Sequence, residues 1–106
     1  LDLRSGEDLD PGRGGARPAD MLELAAAVAA DPSLSLAGLM AVAPLGEDPA
    51  AAFARLQELS AELTSRYPGA AGISAGMSQD LEAAVAHGAT HLRIGSDVLG
   101  PRPAVG

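Results

Sequence analysis

The sequence predicts an α/β fold in which helices cover a parallel sheet. Two observations predict it. Short apolar runs alternate along the chain with segments whose apolar residues recur every three or four positions. The apolar runs are also continuous, as in strands covered on both faces, rather than alternating with polar residues. Strands that alternate with helices are joined by crossovers, which make neighbouring strands parallel.

The first half of the chain is predicted to hold two strands and one helix. Residues 1–4 alternate apolar and polar side chains, which fits the end of a strand. A loop rich in Gly, Pro, Asp and Arg follows at 5–18. Residues 18–30 are predicted to be helical and to end at Asp31-Pro32. The next strand is the apolar run at 36–42. The apolar face of the helix is predicted to be Met21, Leu22, Leu24, Ala25 and Val28.

The second half repeats this alternation. Asp48 is predicted to be the N-cap of a helix with Pro49 at its first position, ending at 67–69. Residues 71–75 are the third strand. Ser78 is expected to cap a helix at 79–87 that ends at Gly88 in the left-handed region. A fourth strand is predicted at 90–94 and one helical turn at 96–99. The predicted buried positions of the two helices are Phe53, Leu56, Leu59 and Leu63, then Leu81, Ala84 and Val85.

Composition excludes some function classes. The 106 residues, enough for one small domain, carry seven basic and fourteen acidic side chains, a net charge of −7. That charge and the two aromatic residues argue against nucleic acid as a partner. No apolar run approaches membrane-spanning length and no export leader is visible, so we expect no membrane association and a cytoplasmic setting. All seven basic residues are Arg.

Two blocks that join a strand to a helix indicate a phosphate site. They are residues 73–78 and 91–96, and each ends an apolar run in Gly and Ser. Glycine lets a ligand approach the backbone, serine offers a hydroxyl, and a helix N-terminus offers unpaired N–H groups. Taken alone, the first block is explained by N-capping through Ser78. Repetition on adjacent strands favours phosphate, which (β/α)8 barrels often hold at their last two strands. The candidates are Ser74, Gly76, Met77, Ser78, Gly95 and Ser96.

Arg93 is the charged candidate. If its neighbours Leu92 and Ile94 pack on the helices, Arg93 faces the inner side of the sheet. A guanidinium there needs a partner, which is either a carboxylate on another strand or a ligand. The residues alone leave these two readings equally weighted.

Other polar residues give weaker signals. His87 and His91 are separated by the helix-breaking Gly88, so they are not predicted to bind a metal together. His87 is expected near a helix C-terminus, where its charge is favourable. Arg13-Gly14-Gly15 has the composition of an anion loop without a strand and a helix around it, and is better explained as a flexible linker.

Three ordered blocks resemble the pyridoxal phosphate homeostasis proteins of the YggS/PROSC type, whose barrel is like the N-terminal domain of alanine racemase. The resemblance covers essentially the whole chain, but only the C-terminal half of the family pattern. The blocks are Gly38-Leu39-Met40-Ala41-Val42-Ala43-Pro44, then Ser74-Ala75-Gly76-Met77-Ser78 with Asp80, Glu82 and Ala83-Ala84 following, then Gly88-Ala89-Thr90 and Arg93-Ile94-Gly95 with Gly100.

This resemblance implies that residues 1–106 are about four strand–helix units, the C-terminal half of one (β/α)8 TIM barrel domain. It implies binding of pyridoxal 5′-phosphate and its buffering or delivery in the cell, without an established catalytic reaction. The family pattern places the phosphate at residues 74–78 and at Gly95-Ser96, and Arg93 beside the pyridine nitrogen. A cation there keeps that nitrogen unprotonated and weakens the ring as an electron sink. PLP-dependent apo-enzymes are the expected recipients.

The chain departs from the family pattern at three points. The Schiff-base lysine lies on the first strand of the family barrel, and this chain contains no lysine, so binding here is expected to be non-covalent at most. Ser96 replaces a usual Thr and keeps the hydroxyl. Asp97 stands where a small apolar residue is common, and a carboxylate near the phosphate opposes binding unless it turns outward.

Two alternatives remain open at this stage. One is a racemase-like PLP enzyme when the protein is full length, which would need two bases that nothing in these residues supplies. The other is a free-standing half-barrel that serves as an interaction or assembly module. Its open sheet edges and apolar inner face are expected to make the isolated chain self-associate.

Overall fold

The computed structural model describes residues 1–4 and 15–101, and confirms the predicted α/β class. Helices follow each strand in the described part of the chain. The loop predicted at 5–18 lies mostly outside it, as does most of Arg13-Gly14-Gly15. In chain order the elements are a 3₁₀ turn Pro18–Asp20, helix α1 Met21–Ala30, strand β1 Gly38–Met40, helix α2 Pro49–Arg66, strand β2 Gly72–Ser74, helix α3 Leu81–Ala86 and helix α4 Ser96–Leu99.

The sheet is parallel and its extended segments lie in sequence order. Strands β1 and β2 pair in register, with Leu39 opposite Ile73. Before them, the Leu1 nitrogen donates to the carbonyl oxygen of Met40 at 2.7 Å. After them, residues 90–93 run along β2 through an isolated bridge between Ser74 and His91. Four extended segments therefore lie side by side among the described residues.

The strands predicted at 1–4 and 90–94 are not regular strands, and both predicted inner strands are shorter than expected. At 1–4, a single hydrogen bond of the described chain joins the segment to β1. At 90–94, the ladder breaks because Gly76 adopts φ +98°, and its carbonyl oxygen accepts the Arg93 N–H at 2.9 Å. A residue in that conformation turns its carbonyl out of the regular ladder.

Helix α2 organises the core, as its sequence predicts. The Asp48 carboxylate accepts the Ala50 N–H at 3.1 Å, which caps the helix, and Pro49 occupies its first turn. Phe53 and Leu56 are buried against β2 and the Leu3 side chain, while Leu63 packs with α1. The Arg55 guanidinium donates to the Leu3 carbonyl oxygen and holds the first segment on the helix.

Two predicted helix faces are only partly buried. In α1, Met21 and Ala25 are buried, but Leu24 is 52% exposed because one face of this helix meets α2. In α3, Ala84 is buried whereas Val85 is 55% exposed. Helix α3 has six residues, so a narrow apolar stripe suffices to pack it.

The face of the sheet opposite the helices is open. Met40, Ser74 and His91 occupy paired positions on this inner face, because Leu39 and Ile73 before them face the core. Met40 is 51% exposed. No helix among the described residues is long and apolar enough to cross a membrane.

Candidate functional site

The candidate site lies at the carboxyl edge of the sheet. Parallel strands end at the same edge, so the segments after β1, β2 and the extended run at 90–93 leave the sheet side by side. This edge is where open α/β sheets bind their ligands. The segments concerned are residues 41–47, 75–80 and 94–97.

Gly76 brings the loop after β2 against helix α3. A Cβ atom at this position would lie 2.6 Å from Ala84 Cβ and 2.9 Å from Leu92 Cδ2. Its φ of +98° also lies in the left-handed region. A glycine is therefore required here for packing and conformation, independently of any ligand.

The loop is closed by Asp80 rather than by Ser78. An Asp80 carboxylate oxygen accepts the Met77 N–H at 2.7 Å, residues 78–80 form a turn, and α3 begins at Leu81 instead of residue 79. The sequence analysis missed this contact. Its signal was an Asp three residues after a loop N–H, a spacing at which Asp side chains bond the local backbone.

Ser78 joins the two predicted blocks. The prediction that it caps α3 is wrong, since its Oγ accepts the N–H of Asp97 at 3.1 Å, at the start of α4. A serine hydroxyl that accepts one hydrogen bond still has its own proton to donate. No described residue accepts that proton, so it remains available to an anion placed at this edge.

Gly95 and Ser96 open the second block. Gly95 has φ −117°, which any residue adopts, and a Cβ atom there would meet nothing within 4 Å. Neither packing nor backbone conformation explains a glycine at this position. Open space at Gly95, two residues before the Asp97 N–H that Ser78 accepts, fits a ligand that comes close to the backbone. Ser96 is exposed at the first position of α4.

Met77 and Ser74 are the two remaining candidates from the first block, residues 73–78. Met77 is 46% exposed at the rim of the loop. Ser74 lies two residues before Gly76, half-buried on the inner face, and its carbonyl oxygen accepts the Ala41 N–H at 3.1 Å. The structure thus places Ser74 below the loop that holds Ser78, not in it.

Arg93 is exposed and its side chain reaches across β2, while its orientation toward the inner side of the sheet stays a prediction. Its Nη2 atom lies 3.4 Å from the carbonyl oxygen of Ala41, a long hydrogen bond. It makes no ion pair with a described residue, so the predicted alternative of an internal carboxylate partner is not observed in residues 1–4 and 15–101. Its neighbours Leu92 and Ile94, predicted to pack on the helices, are 36% and 42% exposed because four-residue α4 covers little of them.

The site is an edge, not a closed cavity. A cavity of about 280 Å³ lies elsewhere, between residues 3–4 and α2, where Arg55, Glu58 and Glu62 line it. It contains none of the candidate residues. In a complete barrel the walls around such an edge come from all the strand-to-helix loops, and three of these segments are present here.

Comparisons with known proteins match most of this chain. Residues 5–103 match the family model described as the alanine racemase N-terminal domain. The pyridoxal phosphate homeostasis protein of Mycobacterium tuberculosis is 45% identical over 98 residues, which cover 90% of this chain and 38% of that protein. The Pseudomonas aeruginosa protein of the same name is 47% identical over 93 residues, with 85% and 39% covered. The chain thus spans about two fifths of the curated relatives it matches.

Solved structures agree with the fold. PipY of Synechococcus elongatus, determined without PLP, matches with a TM-score of 0.73 and 37% identity over 87% of this chain and 45% of that chain. A second PipY structure, with PLP bound, matches with a TM-score of 0.73 and 35% identity over 88% and 46%. These likenesses confirm the predicted barrel fold of the alanine racemase N-terminal type, present here in part.

Proposed function

The chain belongs to the alanine racemase N-terminal domain family, and on that premise we propose that it binds pyridoxal 5′-phosphate non-covalently, as a cofactor carrier rather than a catalyst. The observation that carries this proposal is the contact between Ser78 Oγ and the Asp97 N–H. It brings together two Gly/Ser blocks that are 19 residues apart and leaves a hydroxyl proton at the edge they share. The names of the relatives and the PLP-bound PipY structure support the choice of ligand.

The phosphate group is assigned to the edge formed by residues 76–78 and 95–96. Ser78 supplies a hydroxyl donor, and the open space at Gly95 allows close approach. Ser96 and Met77 complete the proposed contacts at this edge, and Ser74, on the inner face below the loop, is proposed to contact the bound cofactor there. A phosphate needs several directed donors and little apolar surface, and an exposed edge with two serines fits that demand.

Arg93 is assigned to the pyridine ring. Its guanidinium reaches across β2 and makes one long hydrogen bond to the Ala41 carbonyl oxygen. A cation at the ring nitrogen disfavours protonation of that nitrogen. Pyridoxal phosphate supplies an electron sink to enzymes when its ring nitrogen is protonated. Arg93 therefore favours storage of the cofactor over catalysis, which agrees with relatives named for homeostasis.

Binding is proposed to be reversible because no lysine is present to bond the cofactor, all seven basic residues being Arg. The test uses pyridoxal 5′-phosphate followed by exhaustive dialysis and absorption spectroscopy. We expect binding during titration and loss of the cofactor on dialysis. Ser78→Ala is expected to weaken binding, and Ser65→Ala, which removes a hydroxyl on α2 far along the chain from the site, is the matched control. An absorption band that survives dialysis contradicts the proposal.

We further propose that residues 1–106 form the C-terminal half of one barrel domain and that the isolated chain self-associates. The specific observation is the open inner face, where Met40 is 51% exposed, together with the segment at 90–93, which has no outer sheet neighbour in the described chain. Analytical ultracentrifugation is expected to show concentration-dependent association. A monomer at every concentration contradicts it. We also propose that the cofactor is delivered to PLP-dependent apo-enzymes and that the protein is located in the cytoplasm.

A further inference from the structure

We propose that Asp97 sets the phosphate affinity of this site by charge repulsion, so that the chain holds a phosphorylated ligand more weakly than its serine donors alone would allow. This inference rests on the proposed function, because it concerns the same edge. It assigns to Asp97 two separable roles. Its backbone N–H joins the blocks, and its carboxylate opposes the ligand.

The carboxylate lies close to the proposed donor. The Asp97 nitrogen is 3.1 Å from Ser78 Oγ. Three bonds separate that nitrogen from Cγ, so standard bond lengths keep the carboxylate within about 8 Å of the Ser78 hydroxyl. The Debye length at physiological ionic strength is about 8 Å. A phosphate that accepts from Ser78 lies at most about 3 Å farther from the Asp97 carboxylate, so the charge reaches it partly screened at that ionic strength and with little screening at low salt, where the Debye length is about 30 Å.

The Asp97 charge is not neutralised by a described residue. It takes part in no ion pair within residues 1–4 and 15–101. The cation of this edge, Arg93, is directed across the sheet to the Ala41 carbonyl oxygen. The second carboxylate of the edge, Asp80, is engaged by the Met77 N–H and adds negative charge of its own. The charges of the described side chains at these loops are thus unfavourable to a phosphate dianion.

The structural role of Asp97 does not depend on its side chain. Ser78 receives the backbone N–H, which every residue except proline retains. The carboxylate stands in the first turn of α4 and makes no capping bond there. Asp97→Asn therefore removes the charge and leaves both the contact between the blocks and the shape of the side chain in place.

The probe is pyridoxine 5′-phosphate, which has the ring and phosphate of the cofactor but no aldehyde, so that no covalent adduct contributes. We expect Asp97→Asn to bind it about threefold to tenfold more tightly than the unaltered chain in isothermal titration calorimetry at low salt. The gain is expected to shrink in about 1 M salt, where the Debye length falls to about 3 Å. Binding of pyridoxine, which lacks the phosphate, should not change.

Glu23→Gln is the matched control. It makes the same change of charge at an exposed position on α1, outside the loops of the site, and should leave affinity unchanged. Circular dichroism of each variant checks that the fold is kept. Equal affinities of Asp97→Asn and the unaltered chain for pyridoxine 5′-phosphate overturn this inference and leave the proposed function standing. If neither protein binds the probe, the proposed function is wrong and the inference falls with it. An equal gain in Glu23→Gln also overturns it, since the effect would then follow net charge.

Discussion

Replacing Gly76 by alanine tests whether the loop after β2 is held against α3 as described. The new Cβ atom would lie 2.6 Å from Ala84 Cβ and 2.9 Å from Leu92 Cδ2. Carbon atoms in contact are ordinarily about 3.5–4.0 Å apart. The overlap with Ala84 involves a short side chain on a helix, so either α3 or the loop must move.

The cost has two parts. Holding a residue other than glycine at φ +98° costs about 1–3 kcal/mol. Overpacking against α3 adds about 1–3 kcal/mol. We therefore expect Gly76→Ala to lower the free energy of unfolding by about 2–6 kcal/mol, a large share of the stability of a small domain.

Urea unfolding followed by circular dichroism measures this loss, and Gly46→Ala isolates its packing part. Gly46 has φ +80° but a Cβ atom there would meet nothing within 4 Å. It therefore carries the conformational cost without the contact, and should lose about 1–3 kcal/mol. Equal losses in the two variants would refute the close packing of Gly76 on α3.

Substitutions at three further positions separate stability from binding. Leu63→Ala empties a side-chain site that is fully buried between α1 and α2, and should lower the free energy of unfolding by about 2–5 kcal/mol in the same urea assay; no loss would refute that packing. Asp48→Ala removes the α2 cap and should cost about 1 kcal/mol, whereas Asp48→Asn should cost less, because Asn also caps helices. Gly95→Ala should leave the unfolding midpoint unchanged, since its Cβ meets no atom, yet weaken binding of pyridoxine 5′-phosphate in calorimetry; unchanged binding would show that the ligand does not approach Gly95.

The features predicted well from sequence are those whose causes are local. The α2 cap at Asp48 and its buried face at Phe53, Leu56 and Leu63 follow from spacing within one helix, and the structure confirms them. The fourth predicted position, Leu59, is only partly buried. Gly88 ends the α3 segment with φ +89°, again as a local pattern predicts. Local patterns of this kind are also enough to predict the alternation of strands and helices, and with it the fold class.

The features predicted poorly depend on partners distant in sequence. Ser78 was predicted to cap the following helix, but its partner is the Asp97 N–H, 19 residues away, which no local pattern specifies. Residues 90–94 have the composition of a strand. A regular ladder would need extended backbone in the neighbouring segment after β2, but Gly76 in that segment has a positive φ. Arg93 was expected to meet a carboxylate or a ligand, whereas its described contact, with the Ala41 carbonyl oxygen, crosses the intervening strand. The assignment of the seven candidate residues to a cofactor remains a prediction.

The sequence order of the four extended segments has a consequence for folding kinetics. Ser74 meets His91 across 17 residues and Gly38 meets Gly72 across 34. The entropy of closing a loop grows only with the logarithm of its length, about 0.6 kcal/mol for each doubling. The two closures therefore cost nearly the same, and each strand can join its predecessor without waiting for a distant part of the chain. Such a topology joins strands that are neighbours in sequence, and it is expected to assemble one unit at a time, outward from β2.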